Sequence, residues 1–324
     1  MADNDCLHFQ FVCPRCKSPL RWVGLDKLLC VNRSGCSSAG TIFPRSVGIW
    51  RFLLPERSTH YAQFIRDYEH IRRMEGRGSS DPAYYRALPF APAASPFYSD
   101  WRMRARSYMT FLAQILEPVE RRAAQPLNIL DLGAGNCWLS NRLCQRNHCL
   151  TAVDLIVNSF DGLGAYIHYD RPFLPLQAEF EYLPLAERQY DLAIFNASLH
   201  YAEHYDSVLA EVLRVLKPGG LLVIMDTPFY LEPASGEQMV RERSSQFQQT
   251  YGTASNSLAS ENFLTPARLA DMSAAFELRW EMVHPRLSLR EALKRRVSGW
   301  RARREPARFP LVWALKLRQL GEAG

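Results

Sequence analysis

Residues 127–136 read Leu127-Asn128-Ile129-Leu130-Asp131-Leu132-Gly133-Ala134-Gly135-Asn136, and this stretch decides the fold. Its first part is a short, mainly apolar run that is typical of a buried strand. A glycine turn follows at once, and a helix-like segment then runs from Trp138 to Arg146. Strand, turn and helix in this order place backbone amides and a helix N-terminus above the carboxyl edge of a sheet, where open α/β sheets bind ligands. Gly133 and Gly135 let the backbone approach such a ligand closely.

Strand-like and helix-like segments alternate beyond this turn. Cys149–Asp154 predicts a second strand whose final acid lies about twenty residues past the turn, where a carboxylate can accept bonds from both hydroxyls of a ribose. Glu179 follows a further strand-like run and can accept a bond from an adenine amino group. The next segments are a buried strand at Tyr190–Asn196, a helix at Leu209–Leu216 and a fifth strand at Leu221–Asp226. This alternation predicts an α/β fold with a parallel, doubly wound, Rossmann-like sheet.

Taken in order, these segments resemble the successive motifs of class I S-adenosylmethionine-dependent methyltransferases. The motifs that carry the resemblance are Asp131–Gly135, Asp154, Glu179 ahead of Leu183-Pro184, Asp191 with Asn196, and Arg214–Gly220. Each motif is common, but their ordered combination over Leu127 to Asp226 is specific. The resemblance implies a methyltransferase core, of the broad branch that holds quinone-biosynthesis and other small-molecule enzymes, with S-adenosylmethionine as its cofactor.

The resemblance also implies a role for individual residues. By this likeness Gly133 and Gly135 line the methionine part, Asp154 holds the ribose, Glu179 and Phe180 flank the adenine, and Asn196 faces the methyl-transfer cleft. The further predicted cofactor contacts are Asp131, Ala134 and Leu155. Cys137 departs from the family, because many members have a third glycine there; we expect it to change helix packing more than cofactor choice. A dinucleotide-binding domain is the competing interpretation, and Trp138 opposes it by occupying the third glycine position of GxGxxG.

Methyl transfer from a sulfonium is a direct displacement, so the enzyme mainly aligns the reactants and excludes water. A general base is optional. His200 follows the fourth strand and has a pKa suited to proton removal, so His200 and Asn196 are the candidate catalytic residues, although a histidine here can equally be structural. Arg102 and Arg106 share a helical spacing and are either structural or a clamp on a ligand carboxylate, for which we predict Arg106 as a cofactor contact.

Four cysteines near the N-terminus have the spacing of a metal site. Cys13 and Cys16 form one close pair, and Cys30 and Cys36 form a second. Tetrahedral zinc takes four such thiolates, and a site closed by four protein sulfurs is structural rather than catalytic. The alternative is four buried or free cysteines. Cys6 lies outside the pairs and is predicted to be a bystander.

Composition bounds the remaining organisation. The chain has 324 residues, 47% of them hydrophobic, which suffices for a sizeable core and more than one unit. We expect a zinc ribbon at 1–55, a helical arm at 56–120, a methyltransferase domain at 121–290 and a basic helical tail at 291–324. Tyr61, Phe64, Tyr68 and Ile71 predict one face of a helix in the arm. The longest apolar runs are far shorter than the roughly 20 residues of a bilayer crossing, and the cysteine pattern favours a reducing compartment, so the predicted location is the cytoplasm.

Two features bear on the methyl acceptor. A zinc ribbon ahead of a methyltransferase resembles bacterial 23S rRNA guanine-N1 methyltransferases, although that group commonly has histidine where this chain has Cys36. The net charge of +6 is concentrated near the C-terminus, where basic residues from Lys294 to Arg308 interleave with Trp300, Phe309 and Trp313. Such a segment can bind RNA, lie on an anionic membrane through the amphipathic pattern of Phe309–Leu320, or be a solvated helix face. The first prediction is a small-molecule or lipid-like acceptor; the alternatives are an rRNA base and a non-catalytic partner protein.

Overall fold

The computed structural model describes residues 9–32 and 35–317. Eleven strands in this part of the chain form one sheet in the order β1-β2-β3-β4-β7-β6-β5-β8-β9-β11-β10. The strands are β1 (Arg21–Trp22), β2 (Lys27–Leu29), β3 (Ile42–Ser46), β4 (Ile49–Arg51), β5 (Asn128–Leu132), β6 (Cys149–Asp154), β7 (Leu174–Gln177), β8 (Tyr190–Asn196), β9 (Leu216–Met225), β10 (Trp280–Val283) and β11 (Leu311–Leu315). The predicted α/β sheet is confirmed.

The centre of the sheet is parallel and buried on both faces. β5 pairs with β6 on one side and with β8 on the other, and β7 and β9 extend the parallel part outward. Most of their apolar side chains are buried, and Ile129, Leu150 and Ile194 are at most 1% exposed. Parallel strands covered by helices on both faces have this near-continuous apolar character. All their carboxyl ends therefore lie along one edge of the sheet, where a site can form.

Helices cover both faces and one rim of the sheet. They are α1 (Pro55–Met74), α2 (Pro82–Ala87), α3 (Tyr98–Phe111), α4 (Glu117–Glu120), α5 (Trp138–Cys144), α6 (Tyr205–Val215), α7 (Pro233–Tyr251), α8 (Pro266–Phe276) and α9 (Leu289–Ala302). A π-helical stretch, Leu112–Leu116, joins α3 to α4. The predicted face of α1 is present, since Tyr61, Phe64 and Ile71 are buried.

The cysteine-bearing module is continuous with the central sheet. β4 pairs in parallel with β7, so that Trp50 lies opposite Leu176. Phe52 is 1% exposed and packs in the same apolar cluster as Leu176. The boundary predicted at 55/56 therefore separates segments that share one core.

The C-terminal segment differs from its prediction. The structure has a helix, α9, but the chain then enters the sheet as β11, antiparallel to both β9 and β10. Leu311, Val312 and Ala314 are at most 1% exposed. The expectation of a helical tail with a membrane-facing amphipathic pattern over Phe309–Leu320 is wrong for residues 309–317, because this short apolar run pairs with β9 instead; 318–320, like Cys6, lie outside the described residues. Within residues 9–32 and 35–317, none of the helices combines the length and apolar character needed to span a bilayer.

Candidate active site

A cleft of about 290 Å³ opens at the carboxyl ends of β5, β6, β8 and β9. Nine of the predicted site residues line it: Gly133, Ala134, Gly135, Asp154, Leu155, Glu179, Phe180, Asn196 and His200. These residues come from four stretches of sequence, and the parallel topology brings them together, since each stretch lies at or just past the carboxyl end of β5, β6, β7 or β8. A cleft of this size at this edge is the usual ligand site of an open α/β sheet.

The glycine turn packs tightly against Ser198, which follows β8. Gly133 has φ +76°, and a Cβ there would lie 2.2 Å from the Cβ of Ser198. Ser198 is held in place because its hydroxyl donates to the backbone oxygen of Leu132. Gly135 also has a positive φ, +52°, and lines the cleft; a Cβ there would lie 3.8 Å from the Asp161 carbonyl oxygen, an ordinary contact. The turn therefore needs glycine at position 133 for packing and favours it at position 135 for its backbone conformation.

Asp154 is fixed at the tip of β6 by backbone donors. The amides of Gly135 and Ile156 each donate to one of its carboxylate oxygens at 2.8 Å. Burial raises the pKa of Asp154 to about 6, and these amide bonds oppose the rise. Each oxygen has a second lone pair, so an ionised Asp154 can still accept both hydroxyls of a ribose.

Glu179 is almost wholly buried beside the cleft. Arg57 of α1 donates to its Oε2 at 2.7 Å, while Oε1 has no hydrogen-bond partner among the described residues. Burial raises the pKa of Glu179, and the neighbouring Arg57 guanidinium opposes that shift. Phe180 packs edge-on against Phe195 with ring centroids 5.2 Å apart. A free carboxylate oxygen beside an aromatic ring suits a purine with an exocyclic amino group.

His200 and Asn196 follow β8 and line the same cleft. The Nδ1 atom of His200 and the Oδ1 atom of Asn196 are buried without hydrogen-bond partners in the described part of the chain. Burial, together with the charges of Arg243 and Arg104, lowers the pKa of His200 to about 3. His200 is therefore neutral at physiological pH and a weak base.

Two predicted site residues do not line the cleft. Asp131 is 1% exposed, and its Oδ2 accepts a bond from the Ser140 hydroxyl at 2.7 Å. Arg106 forms an ion pair with Glu291 of α9. The expectation of a carboxylate clamp at Arg106 is therefore wrong, because its side chain is paired with α9 and does not line the cleft. Arg104, two residues earlier on α3, lines the cleft.

Sequence reasoning missed several lining residues. Tyr61, Phe64 and Tyr68 were predicted only to share one face of a helix, and in the structure they line the cleft from α1. Arg72 lies beside them and pairs with Asp161 at 3.2 Å. The helical spacing was a valid signal for α1, but nothing in the sequence indicated that this helix covers the strand ends. Asp226, just after β9, was also overlooked, although strand-ending acids elsewhere were noted.

The described residues fit a cleft that takes an adenosyl cofactor together with a second polar ligand. Glu179, Asn196, His200 and Asp226 each carry a buried polar atom without a partner in residues 9–32 and 35–317, and all of them line the one cleft. Buried polar atoms normally find partners, so their convergence indicates a polar ligand. The backbone of Gly135 also lines the cleft, and the anchored Asp154 carboxylate has lone pairs left for hydroxyl donors.

The four N-terminal cysteines come together as predicted. All four sulfurs lie within 4.8 Å of one another. Cys13 and Cys36 are 3.8 Å apart, and Cys16 and Cys30 are 3.9 Å apart. Sulfurs that each lie about 2.3 Å from a tetrahedral zinc ion are about 3.8 Å from one another. The cluster therefore fits a structural zinc ion.

The zinc module contacts the segment that carries Glu179. The amide of Val12 donates to the carbonyl of Pro184 at 3.0 Å, and Phe11 forms an isolated antiparallel β-bridge with Leu185. Lys17, between the first cysteine pair and the second, forms an ion pair with Glu211 of α6. The module is thus docked next to the segment from which Glu179 and Phe180 line the cleft.

Comparison with known proteins agrees with this geometry. Residues 130–224 match the family model described as a methyltransferase domain. The malonyl-[acyl-carrier protein] O-methyltransferase of Buchnera aphidicola is 30% identical over 103 residues, an alignment that covers 30% of this chain and 38% of that protein. The enzyme of the same name from Pseudescherichia vulneris is 26% identical over 210 residues, covering 64% of this chain and 74% of that one.

Solved structures support the fold. A chain in the complex between the Haloferax volcanii Trm112 methyltransferase activator and a methyltransferase superposes with a TM-score of 0.51 at 15% identity. The match covers 79% of this chain and 98% of that one. At this identity the likeness shows the fold alone, which is the Rossmann-like methyltransferase fold.

Proposed function

We propose that this chain, whose residues 130–224 form a methyltransferase domain, transfers the methyl group of S-adenosylmethionine to a small-molecule or lipid-like acceptor. The observation that carries the proposal is the cleft, where a glycine turn, a ribose-ready Asp154 and a free oxygen of Glu179 meet on one edge of the sheet. The relatives that align with part of the chain are named as O-methyltransferases.

The residues then have distinct tasks. Asp154 would accept the ribose hydroxyls, and Glu179 and Phe180 would hold the adenine. Asn196 would face the reacting centre, and His200, neutral because burial lowers its pKa to about 3, would contribute a hydrogen bond rather than accept the proton. When bound, S-adenosylmethionine supplies an electrophilic methyl group. The protein's part is alignment and exclusion of water, which the aromatic residues of α1 serve by covering the cleft.

A small acceptor is favoured over RNA by two observations. Side chains of α1 line the cleft and narrow its entrance beside the strand ends, so a base in an RNA chain would have to be extruded to reach it. In the C-terminal segment, Arg304 is paired with Glu242 and Arg308 with Glu305, while Trp313 lies in a sheet strand. These side chains are engaged within the protein. Chromatography on heparin would test the RNA alternative, because phosphate contacts give a steep salt dependence.

The zinc module has a structural role in this proposal, and its four thiolates favour a reducing compartment, which is why we propose the cytoplasm as the location. Methyl transfer is tested by incubating the protein with tritiated S-adenosylmethionine and a small-molecule cell extract. We expect labelled product from the wild type and much less from Asp154→Ala. Failure of the protein to bind S-adenosylhomocysteine at millimolar concentration would instead favour a non-catalytic scaffold.

A further inference from the structure

A buried carboxylate stands in the cleft with one oxygen anchored and the other free. Asp226 follows β9 directly, and only 3% of it is exposed. The Ser107 hydroxyl of α3 donates to its Oδ1 at 2.5 Å, whereas its Oδ2 has no partner among the described residues. The backbone of Asp226 has φ +54°, in the left-handed region that few side chains adopt. The strand end and Ser107 thus hold a carboxylate oxygen ready for a group that enters the cleft.

The charged and titratable neighbours come from two elements. Arg104 of α3 lines the cleft near Asp226, and its charge lowers the Asp226 pKa, although burial raises that pKa by more. His200, after β8, lines the same cleft and is neutral. A carboxylate whose pKa burial has moved upward is a better proton acceptor near neutral pH than a histidine whose pKa is about 3. The sequence predicted His200 as the candidate base, whereas the structure favours Asp226.

We infer that Asp226 is the general base of the proposed methyl transfer and that the acceptor is methylated on a protic group, a hydroxyl or an amine. This inference rests on the proposed function. A lone pair of the acceptor oxygen or nitrogen bonds to the methyl carbon as the carbon–sulfur bond breaks, and that bond's electron pair stays on sulfur. The acceptor proton passes to Oδ2 of Asp226. The products are the methylated acceptor, S-adenosylhomocysteine and a protonated Asp226, so atoms and charge balance.

A carboxylate acceptor fits this arrangement less well. It is already ionised at neutral pH, so it needs no base, and an ionised Asp226 in a buried cleft would repel it. A hydroxyl or amine instead donates its hydrogen bond to the free Oδ2 before transfer, which satisfies an otherwise unpartnered buried atom. The same contact aligns the nucleophile.

The test uses Asp226→Asn in the full-length protein. Asparagine has almost the same shape, still accepts a bond from Ser107 and tolerates a left-handed backbone, so the fold and the donor site are preserved. The control is Glu187→Gln, the same chemical change at an exposed position outside the cleft. We would measure tritium transfer from labelled S-adenosylmethionine into a small-molecule cell extract between pH 6 and pH 10, and S-adenosylhomocysteine binding by calorimetry.

We expect Asp226→Asn to slow transfer by about 10²- to 10⁴-fold at pH 7, the usual contribution of a general base. Its rate should recover as the pH rises and the acceptor loses its proton unaided, while S-adenosylhomocysteine binding stays at the wild-type value. Full transfer by Asp226→Asn, or an equal loss of S-adenosylhomocysteine affinity, would overturn the inference and leave the proposed function standing. A wild type that labels nothing would overturn both.

Ser107→Ala is a second variant, and it carries the test if Asp226→Asn fails to fold. It keeps the carboxylate but removes the bond that orients it. Ser107 is a positioning residue, so we expect an intermediate rate at neutral pH with unchanged S-adenosylhomocysteine binding. A wild-type rate in this variant would contradict the role given to the anchored carboxylate.

Discussion

Replacing Gly133 by alanine tests how the glycine turn is built. The added Cβ would lie 2.2 Å from the Cβ and 2.8 Å from the hydroxyl oxygen of Ser198, at a backbone φ of +76°. Ser198 cannot simply rotate away without losing its bond to the Leu132 carbonyl. A left-handed conformation costs a residue with a Cβ about 1–2 kcal/mol, and overpacking adds about 1–3 kcal/mol. We therefore expect the free energy of unfolding to fall by about 2–5 kcal/mol.

A matched control separates these two costs. Gly76 has nearly the same φ, +73°, but no heavy atom lies within 4 Å of the position its Cβ would take. Gly76→Ala should therefore lose only the backbone share, about 1–2 kcal/mol. Urea unfolding followed by circular dichroism gives both values, and adding Ser198→Gly to Gly133→Ala should restore part of the difference. Equal losses in the two single variants would refute the packing argument.

Two further predictions concern the zinc module and Asp154. Removing zinc with a chelator, or changing Cys16 to serine, should lower the melting temperature and weaken S-adenosylhomocysteine binding. The reason is that the module is docked on residues 184–186, close to Glu179. Chelated protein that binds S-adenosylhomocysteine as tightly as zinc-reloaded protein would contradict this prediction. Asp154→Asn should weaken that binding about 100-fold, from two charged hydrogen bonds of about 1.5 kcal/mol each. Because the Asp154 pKa is about 6, wild-type affinity should fall as the pH drops from 7.5 to 5, and calorimetry should find a flatter dependence in Asp154→Asn; parallel curves would argue against the ribose contact.

The central α/β unit could be predicted because its signals are local. The apolar run before Gly133 and the acid that ends Cys149–Asp154 each combine a strand pattern with a chemical group at a fixed place, and the structure confirms both strands. Boundaries were less accurate. The fifth strand, predicted at Leu221–Asp226, begins five residues earlier in the structure, at Leu216, and β7 contains Pro175, a residue that argues against a central strand.

The features that escaped prediction depend on distant partners. A five-residue apolar run such as Leu311–Leu315 suits a helix or a strand, and only its pairing with β9 decides between them. Arg104 and Arg106 carry the same charge on one helix, but a step of two residues places them on different sides of it, so that Arg104 lines the cleft and Arg106 pairs with Glu291. Likewise, the pKa of His200 is lowered mainly by burial, and the residues next to it in the sequence do not indicate that it is buried.

The most direct measurement is a crystal structure of the protein grown with S-adenosylhomocysteine. We predict adenosine in the cleft, with both ribose hydroxyls bonded to Asp154, the adenine beside Phe180 and its amino group near the free oxygen of Glu179. Ligand bound elsewhere, or a cleft without ligand density at millimolar concentration, would contradict the assignment of this cleft to a methyl donor.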